Sequence, residues 1–494
     1  MDAKRKPHLV LVPFMAQGHM IPAVDMASLL AVAGTDVTFI TTPVNAARIR
    51  PAIDRVESAG LSIRFVEINF PTAEAGLPAG LENIDLITSA DQFLPFMESL
   101  SFLKKGLKLH LLEANPAPDC IIFDSLSSWA ADVAQSLGLP HLIFYGPSCF
   151  FILCSILLKR SQVLDTIADD SETFVIPGLP QTIEVTKAQV ERWLDGPEWE
   201  KVREEIYAAD ASADGVLINT FNELETWCLE ILAKEKGKKV WPIGPLCLYN
   251  KDVESRATRG KASSIDTQLL LSWLDDKETG SVFYVSFGSL SRNTLLQLVE
   301  IGLGLEAAKG VPFIWVVKEA EEGSEAARWI DDFEERTKER GMVIRGWAPQ
   351  AVILWHPAVG GFMTHCGWNS TLEAVSAGVP MVTWPRFGDQ FLNERLVVDV
   401  LKVGVAVGAK VPTLFMKEIS AEALVKGEDV KKAVERLMGS GEEAEERRAR
   451  AKEYGEKARR AMEDGGSSVE NLKQIIHYAT VSPKNKVKSD GYIY

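Results

Sequence analysis

The sequence lacks the cysteine pattern of a disulfide-stapled or zinc-binding protein. Its 494 residues include six scattered cysteines, and no two of them form a Cys-x-x-Cys pair. Small secreted domains depend on dense disulfides, and structural zinc sites need closely spaced Cys and His ligands. A chain of this length buries enough surface to be stable without either device. We therefore expect reduced, mostly buried thiols, as in a cytoplasmic protein.

Long apolar runs are also missing. The strongest candidate, residues 142–158, is interrupted by Gly146 and Pro147. Its unbroken part falls short of the roughly 20 apolar residues that a transmembrane helix needs. The basic and apolar N-terminus has no small-residue cleavage site, so we interpret it as a buried first strand and not as a signal peptide. The sequence predicts no stable membrane insertion.

Positive charge is in the minority. There are 53 Lys and Arg residues against 68 Asp and Glu residues, which gives a net charge of −15. Proteins that bind nucleic acids hold the phosphate backbone with clustered Lys and Arg. In residues 442–463 the two signs interleave, which is typical of a solvated helix with i,i+4 pairs. We expect small-molecule ligands, no nucleic-acid partner, and a monomer.

The chain does contain two sets of short apolar strands that alternate with helical segments. In the first set we predict strands at 8–13, 35–41, 120–123 and 141–144, with helices at 20–33 and 128–137. In the second set we predict strands at 281–286, 313–317, 342–345, 361–364 and 380–383, with helices at 295–308, 369–377 and 389–401. This alternation is typical of parallel, doubly wound α/β sheets.

A polar, loop-like stretch between residues 245 and 272 separates the two sets. We therefore predict a Rossmann-like domain at 1–246, a linker at 247–272, and a second Rossmann-like domain at 273–465. Residues 466–494 are predicted to form a C-terminal helix and tail that pack back toward the first domain. In such folds ligands bind outside the carboxyl ends of the strands, so the loops that follow strands are the candidate sites.

The densest group of candidate binding residues lies between residues 347 and 390. Gly367 permits a tight turn into a helix that Asn369 or Ser370 can cap. The N-terminus of a helix attracts anions, and His365 on the same loop can donate a further hydrogen bond. The pattern favours a diphosphate, although this piece alone is equally explained by an ordinary capped helix.

Neighbouring residues suit the other parts of a nucleotide sugar. Glu373 can accept hydrogen bonds from two vicinal ribose hydroxyls. Trp347 offers a flat face to a base, and Gln350 can both donate and accept at the edge of that base. Asp389 and Gln390, at the start of another helix, combine an acid with an amide, as a polyhydroxylated sugar requires.

A candidate general base lies in the first half. His19 ends the loop after the first strand, and Asp124 follows another apolar strand. A neutral imidazole accepts a hydroxyl proton near neutral pH, and a carboxylate can orient its second nitrogen. Taken alone, His19 is better explained by a structural histidine, but the pairing with Asp124 favours a catalytic dyad.

Residues 347–390 closely resemble the signature box of the plant secondary-product glycosyltransferases, which are family-1 UDP-sugar enzymes with the GT-B fold. Other segments are similar to further landmarks of that family: YVSFGSL from Tyr284, WLD from Trp273, PFMAQGHMIP near the N-terminus and GGSS from Gly465. The resemblance therefore extends over essentially the whole chain. It implies two Rossmann-like β/α/β domains that face each other across a cleft.

The resemblance also implies a role for each matching residue. Trp347 would stack on uracil, with Ala348 and Gln350 at its edge and Glu373 on the ribose. The phosphate-binding residues would be His365, Asn369, Ser370 and Ser289, together with the backbone of Trp368, and the sugar-binding residues would be Trp384, Asp389 and Gln390. His19 and Asp124 match the catalytic dyad of the family. Arg386, Gly388 and Gly146 depart from the usual residues near the sugar.

These features predict an inverting O-glucosyltransferase that uses UDP-glucose, since a terminal Gln such as Gln390 is associated with glucose donors. The acceptor would be a flavonoid or another phenolic, or else a terpenoid or steroid. We expect no cofactor and no metal ion, because Asp169–Asp170 and Asp275–Asp276 lie outside the donor loops. Apolar residues assigned to the acceptor pocket are Phe93, Phe96, Phe144, Tyr145, Phe150 and Phe151, each of which is at least as well explained as a core residue. A UDP-sugar epimerase and a non-catalytic UDP-sugar sensor remain as alternatives.

Overall fold

The computed structural model describes residues 5–190, 196–318, 321–413, 420 and 423–481. The predicted tail at 482–494 lies outside the described residues. The strands of the first half are β1 (His8–Val12), β2 (Asp36–Thr41), β3 (Ile63–Glu67), β4 (Cys120–Asp124), β5 (His141–Tyr145), β6 (Thr173–Val175), β7 (Glu184–Thr186), β8 (Val216–Ile218) and β9 (Val240–Pro242). Its helices are α1 (Gln17–Val32), α2 (Pro43–Arg48), α3 (Arg50–Ser58), α4 (Phe93–Ser99), α5 (Leu103–Glu113), α6 (Trp129–Ser136), α7 (Cys149–Ser161), α8 (Lys187–Val190), α9 (Glu200–Ser212) and α10 (Thr226–Lys236).

These strands form a parallel sheet in the order β3-β2-β1-β4-β5-β8-β9, and β6 and β7 form a separate antiparallel pair. The sequences HLVLV of β1 and CIIFD of β4 are buried at every position. Such continuous burial is expected of parallel strands that helices cover on both faces. β1 and β4 are neighbours, with Val12 opposite Phe123, so their carboxyl ends lie side by side.

The second half repeats this architecture. Its elements, from the linker onward, are α11 (Val253–Ala257), α12 (Thr267–Asp275), β10 (Val282–Ser286), α13 (Leu295–Ala307), β11 (Phe313–Val317), α14 (Glu325–Thr337), β12 (Gly341–Arg345), α15 (Gln350–Leu354), β13 (Val359–Thr364), α16 (Trp368–Ala377), β14 (Met381–Thr383), α17 (Gln390–Arg395), β15 (Gly404–Ala406), α18 (Gly427–Met438), α19 (Glu442–Ala461) and α20 (Ser467–Val481). The parallel sheet has the order β12-β11-β10-β13-β14-β15. The prediction of two Rossmann-like α/β halves is therefore confirmed.

Short helical segments complete the chain. The 3₁₀ helices include Ile84–Leu86, Ala90–Gln92, Leu100–Phe102, Val163–Thr166, Pro197–Trp199 and Leu246–Tyr249, and a π-helical turn, Leu396–Val400, continues α17. The interleaved charges predicted to form a helix do so as α19, where Glu446–Arg450 and Glu453–Lys457 are i,i+4 pairs. Helix α20 packs against the first half, because Asn471 Nδ2 donates to the carbonyl of Pro242 at 2.8 Å.

Two expectations about local structure are wrong. Helix α1 begins at Gln17 and not at residue 20, so His19 lies in its first turn and not at the end of a loop. The stretch at 245–272 is not entirely loop, since Asp252 caps α11 and Asp266 caps α12 through their side chains. Its polar residues therefore begin helices as well as connecting them.

The cysteines and the apolar segments agree with the sequence. All six cysteines are free thiols, and five of them are buried. Residues 142–158 divide into strand β5 and helix α7, as predicted. Among the described residues, no helix combines the length and the apolar character that crossing a membrane requires.

Candidate active site

The histidine and the aspartate from the first sheet are brought together by the pairing of β1 with β4. His19 Nδ1 lies 2.8 Å from Asp124 Oδ2, and Asp124, which is 2% exposed, also accepts a hydrogen bond from the Leu126 backbone. Phe14 stands edge-on against the imidazole at a centroid distance of 5.1 Å. With Nδ1 engaged by the carboxylate, Nε2 is the ring nitrogen that can exchange a proton with a ligand.

The electrostatic surroundings of His19 favour its basic character. Burial by itself would lower the pKa of His19, but the charge of Asp124 and its hydrogen bond outweigh that effect and raise the pKa above 6.5. Asp389, which belongs to the second half, adds to the increase. Carboxylates from both halves of the chain therefore raise the pKa of His19.

The predicted phosphate loop follows β13, in the middle of the second sheet. Helix α16 begins at Trp368 after Gly367, so Asn369 and Ser370 lie inside its first turn. The prediction that one of these two side chains caps the helix is wrong, and the described residues provide no other side-chain cap at this end. The N-terminal amides of α16 are therefore available to an anion.

His365 stands beside this helix end as a neutral group. Burial, together with the charges of Lys318 and Arg386, lowers the pKa of His365 to about 3. Gly288, on the loop after β10, has a φ of +70°, and a Cβ at this position would lie 2.4 Å from the His365 ring. Only glycine fits there, so the loop that carries Ser289 can approach the imidazole closely. A neutral His365 can donate one N–H to a phosphate oxygen.

The same helix end joins the two halves. Trp368 Nε1 donates to the carbonyl of Asn219 at 2.7 Å, and Asn369 Nδ2 donates to the carbonyl of Gly18. Both acceptors belong to the first half. The amino end of α16 therefore lies directly against the turn that carries His19.

Two residues predicted to bind the nucleoside, Gln350 on α15 and Glu373 on α16, belong to one hydrogen-bonded group. Gln350 Nε2 donates to Glu373 Oε2 at 2.7 Å and to Ser370 Oγ at 2.9 Å. The amide nitrogen of Gln350 is thus engaged by the carboxylate, and its oxygen accepts a long hydrogen bond from the Tyr284 hydroxyl at 3.4 Å. An amide oxygen can accept two hydrogen bonds, so this oxygen keeps one acceptor position for a base edge. Trp347 is half-buried at the end of β12, and Ala348 is buried beside it.

Asp389 and Gln390, which are predicted to bind the sugar, lie at the start of α17, where the charge of Asp389 acts on His19. Burial raises the pKa of Asp389 to about 6, partly offset by a hydrogen bond from Asn393 and by the charge of His19. Gln390 Oε1 accepts the backbone N–H groups of Arg386 at 2.8 Å and Phe387 at 3.1 Å. The carbonyl of Gln390 is thus occupied by the backbone, and Nε2 is the atom that can donate to a sugar hydroxyl.

Two residues near the sugar end lie deeper than the sequence suggested. Trp384 is 1% exposed and packs edge-on against Phe287 at 5.3 Å. The guanidinium of Arg386 lies 4.7 Å from the centres of both rings, and Arg386 Nη2 donates to Asn293 Oδ1 at 2.6 Å. The unusual residue Arg386 is therefore part of the packing behind the site.

The aromatic residues assigned to the acceptor pocket fall into two groups. Phe96, Phe144 and Phe150 are buried in the core. Phe93 and Phe151 are partly buried, as is Tyr145, whose hydroxyl donates to Asp210 Oδ1 at 2.8 Å. The partly buried members are the better candidates for contacting an acceptor.

The two acidic pairs that the sequence analysis rejected as metal ligands lie away from these loops. Asp275 is 73% exposed and pairs with His356, while Asp169 accepts hydrogen bonds from Ser171. Within the described part of the chain, no group of three His, Cys, Asp or Glu side chains is arranged to hold a metal ion.

Sequence reasoning missed three residues that act on the candidate site residues through a hydrogen bond, an ion pair or their charge. Asn393 Nδ2 donates to Asp389 Oδ2 at 2.8 Å, and its i,i+4 spacing from Asp389 on a predicted helix was the available signal. Lys318, after β11, influences His365. Arg259, which contacts Glu373, lies in the segment that was interpreted as a polar loop.

Comparison with known proteins matches both halves of the chain. The family model described as "UDP-glucoronosyl and UDP-glucosyl transferase" matches residues 264–439, and the "Glycosyltransferase, N-terminal domain" model matches residues 7–248. UDP-glycosyltransferase 73C6 of Arabidopsis thaliana is 46% identical over 474 residues, which cover 95% of each chain.

Solved structures agree over the whole length. UGT73P12 of Glycyrrhiza uralensis, complexed with glycyrrhetinic acid 3-O-monoglucuronide, has a TM-score of 0.90 at 39% identity, and the match covers 98% of both chains. UGT71G1 of Medicago truncatula, complexed with UDP-glucose, has a TM-score of 0.76 at 25% identity, and the match covers 96% of this chain and 99% of that chain.

Proposed function

The chain belongs to the plant family-1 UDP-glycosyltransferases, with their GT-B fold, and from this premise we propose that it is an inverting O-glucosyltransferase that uses UDP-glucose. The acceptor is a hydroxyl of a small hydrophobic metabolite, a phenolic such as a flavonoid in the first place and a terpenoid or steroid in the second. The observation that carries the proposal is the contact between the turn bearing His19 and the anion-binding end of α16. This contact supports the proposal, because it brings the residue proposed as the general base next to the helix end proposed to bind the leaving group.

The reaction proceeds by direct displacement at the anomeric carbon. His19 Nε2 takes the proton of the acceptor hydroxyl as the acceptor oxygen attacks the anomeric carbon of glucose. The bond from that carbon to the diphosphate oxygen breaks, and its electron pair leaves with UDP. Because attack comes from the face opposite UDP, the α-linked donor gives a β-glucoside. The carboxylate of Asp124 stabilises the imidazolium that His19 becomes.

The diphosphate develops negative charge as it leaves, and preorganised hydrogen-bond donors of the protein stabilise that charge. The uncapped amides of α16 and the positive end of its dipole face the anion, and the neutral His365 adds a ring N–H. Ser289, Asn369 and Ser370 belong to the same loops. These donors do the work that a divalent metal would otherwise do, so we propose a reaction that needs no metal ion and no cofactor.

The choice of glucose rests on the pair at the start of α17. Asp389 accepts from sugar hydroxyls when it is ionised, and Gln390 Nε2 donates to a hydroxyl oxygen while its carbonyl is held by the backbone. The complex of the relative UGT71G1 with UDP-glucose supports the same donor. For the acceptor, the partly buried Phe93 and Phe151 and the complex of UGT73P12 with a glycyrrhetinic acid glucuronide support a hydrophobic molecule.

The proposal is tested by incubating the protein with UDP-glucose and a panel of flavonoids, simple phenols, triterpenes and steroids. Mass spectrometry detects hexosylated products, and proton NMR of the anomeric signal reports the β configuration. UDP-galactose, UDP-xylose and UDP-glucuronate serve as competing donors. We expect β-glucosides from UDP-glucose and little product from the other donors.

Three outcomes would contradict the proposal. Conversion of UDP-glucose into another UDP-sugar without an acceptor would identify an epimerase. Tight binding of UDP-glucose with no product from any acceptor would indicate a sensor. A preference for another donor would overturn the assignment of glucose.

A further inference from the structure

The linker between the two domains reaches into the nucleoside end of the site. Arg259, which follows α11, is 7% exposed and donates through Nε to Asp25 Oδ2 at 2.8 Å. Its Nη1 donates to Glu373 Oε1. Asp25 lies on α1, which also carries His19, and Glu373 lies on α16. The guanidinium of Arg259 therefore joins helix α1, which carries His19, to helix α16, which carries Glu373.

The residues after Arg259 lie against Trp347. Gly260 has a φ of +108°, and a Cβ there would lie 2.9 Å from the Trp347 ring, so no larger residue fits. The ammonium of Lys261 lies 5.7 Å from the ring centroid. Ser264 Oγ accepts the backbone N–H of Trp347, and the Ser264 N–H donates to the carbonyl of Trp347, each at 2.8 Å. Residues 260–264 of the linker thus lie against Trp347, the residue expected to stack on the uracil.

The carboxylate of Glu373 is held by one donor on each oxygen. Arg259 Nη1 binds Oε1 and Gln350 Nε2 binds Oε2. A carboxylate oxygen can accept two hydrogen bonds, so each oxygen keeps one acceptor site for a ribose hydroxyl. A guanidinium is a planar fork and fixes two carboxylates in one geometry, which the single ammonium of lysine does not do. Asp25 is in turn held by Asn250 Nδ2 at 2.8 Å.

We propose that Arg259 is a positioning residue for the donor: through its ion pair it sets the orientation in which Glu373 accepts the ribose hydroxyls. This inference rests on the proposed function, since it assumes that the ligand is a uridine nucleotide. It assigns the linker a part in nucleotide recognition beyond connecting the two domains. The guanidinium itself contacts the carboxylate and not the reacting atoms.

A role limited to holding the domains together makes a different prediction. Loss of a contact that only holds the domains together would lower the affinity for every nucleotide by the same factor, because the whole site would be disturbed. Loss of the orientation of Glu373 would lower the affinity only for ligands that have both ribose hydroxyls. The ratio of the affinities for UDP and 2′-deoxy-UDP therefore separates the two roles.

The experiment measures the dissociation constants of UDP and 2′-deoxy-UDP by calorimetry for the full-length protein and its variants. We expect the wild type to bind UDP about 10-fold more tightly than the deoxy nucleotide, as befits a hydrogen bond to a charged group. Arg259→Lys should lose most of this preference. Its affinity for UDP should fall about 10-fold, while its affinity for the deoxy nucleotide changes by less than about 2-fold. Glu373→Gln should lose the preference as well, and adding Arg259→Lys to it should cost nothing further.

Arg55→Ala is the matched control. Arg55 Nη1 donates to the Ser255 carbonyl at 2.8 Å and to Thr258 Oγ1 at 3.0 Å, so it anchors the same linker without contacting Glu373. We expect this variant to keep the wild-type preference for UDP. If Arg259→Lys does not fold, Arg259→Gln carries the same expectation, because its amide can still donate to one carboxylate.

The outcomes are distinguishable. An equal loss for both nucleotides in the Arg259 variant would overturn the positioning role in favour of a domain tie. An unchanged preference would overturn any role of Arg259 in recognition. A wild-type protein that binds UDP without a preference for the ribose would overturn the inference while leaving glucosyl transfer intact. A wild-type protein that does not bind UDP would overturn the proposed function itself.

Discussion

The side-chain amide of Asn369 donates a hydrogen bond to the backbone carbonyl of Gly18, the residue that precedes His19. In a regular helix that carbonyl would accept the N–H of residue 22, but Pro22 has no N–H to donate. The proline therefore leaves a free carbonyl on the turn that carries His19, and Asn369 on helix α16 of the other half donates a hydrogen bond to it. This hydrogen bond between the two halves therefore also fixes the turn that carries His19.

Asp124→Asn should change the pH dependence of catalysis in a defined direction. His19 accepts a proton only when it is neutral, so activity falls as the pH drops through the pKa of His19. Asp124 is what raises that pKa against the effect of burial. Without its charge the pKa falls, so the acidic limb of the kcat/KM profile moves to lower pH, while the plateau drops about 10²-fold or more.

Asp275→Asn is the control for a charge lost at an exposed position, and it should leave the profile unchanged. An acidic limb that stays in place or moves to higher pH in Asp124→Asn would contradict the pairing of Asp124 with His19.

In Asn393→Ala, the binding of UDP-glucose should begin to weaken at a higher pH than in the wild type. Asn393 Nδ2 donates to Asp389 and lowers its pKa, which burial has raised to about 6. Removing this donor raises the pKa of Asp389 further, so the carboxylate takes up its proton at a higher pH and loses its ability to accept sugar hydroxyls. The KM for UDP-glucose should rise as the pH falls, beginning at a higher pH than in the wild type.

The affinity for UDP, which has no glucose, serves as the reference in that measurement and should not acquire the new pH dependence. Ser148→Ala removes the 2.7 Å hydrogen bond to Asn393 Oδ1 while leaving Asp389 its donor, so it should shift the profile little. A shift of the same size in the UDP affinity would show that Asn393 supports the whole site and not the sugar end.

Gln390→Glu should test the contact that we propose between Gln390 and the sugar. Glutamate keeps an oxygen for the backbone N–H groups of Arg386 and Phe387 but replaces the donating nitrogen with a second acceptor. We expect the KM for UDP-glucose to rise about 10-fold, with the affinity for UDP changed by less than about 2-fold. Equal losses for UDP and UDP-glucose would show that the residue supports the fold of the loop alone.

Much of the site follows from strand order. The alternation of strands and helices predicts parallel sheets, and the rule that ligands bind at the carboxyl ends of strands places His19 beside Asp124 once β1 and β4 are neighbours. The same rule collects the loops after β10, β13 and β14 at one edge. For these residues, local patterns and general topology are sufficient.

The remaining contacts were beyond such reasoning. Arg259 and Glu373 are 114 residues apart, and the arginine lies in a polar segment whose pattern shows no periodicity. Which cation in a linker meets which carboxylate depends on how the two domains are docked, and no helical or strand period encodes that. The start of α1 was misplaced for a local reason, because glycine in a first turn has the same sequence signature as glycine in a loop.

The central claim is that His19 removes the acceptor proton, and His19→Ala tests it most directly. The variant and the wild type are compared with UDP-glucose on an alcohol acceptor and on a phenol of similar size, while calorimetry confirms that UDP binds both proteins equally. A phenol, with a pKa near 10, needs less help from a base than an alcohol does, so we predict a loss of at least about 10²-fold on the alcohol and a clearly smaller loss on the phenol. Equal losses on both acceptors, or retained transfer to the alcohol, would contradict the assignment of His19 as the base.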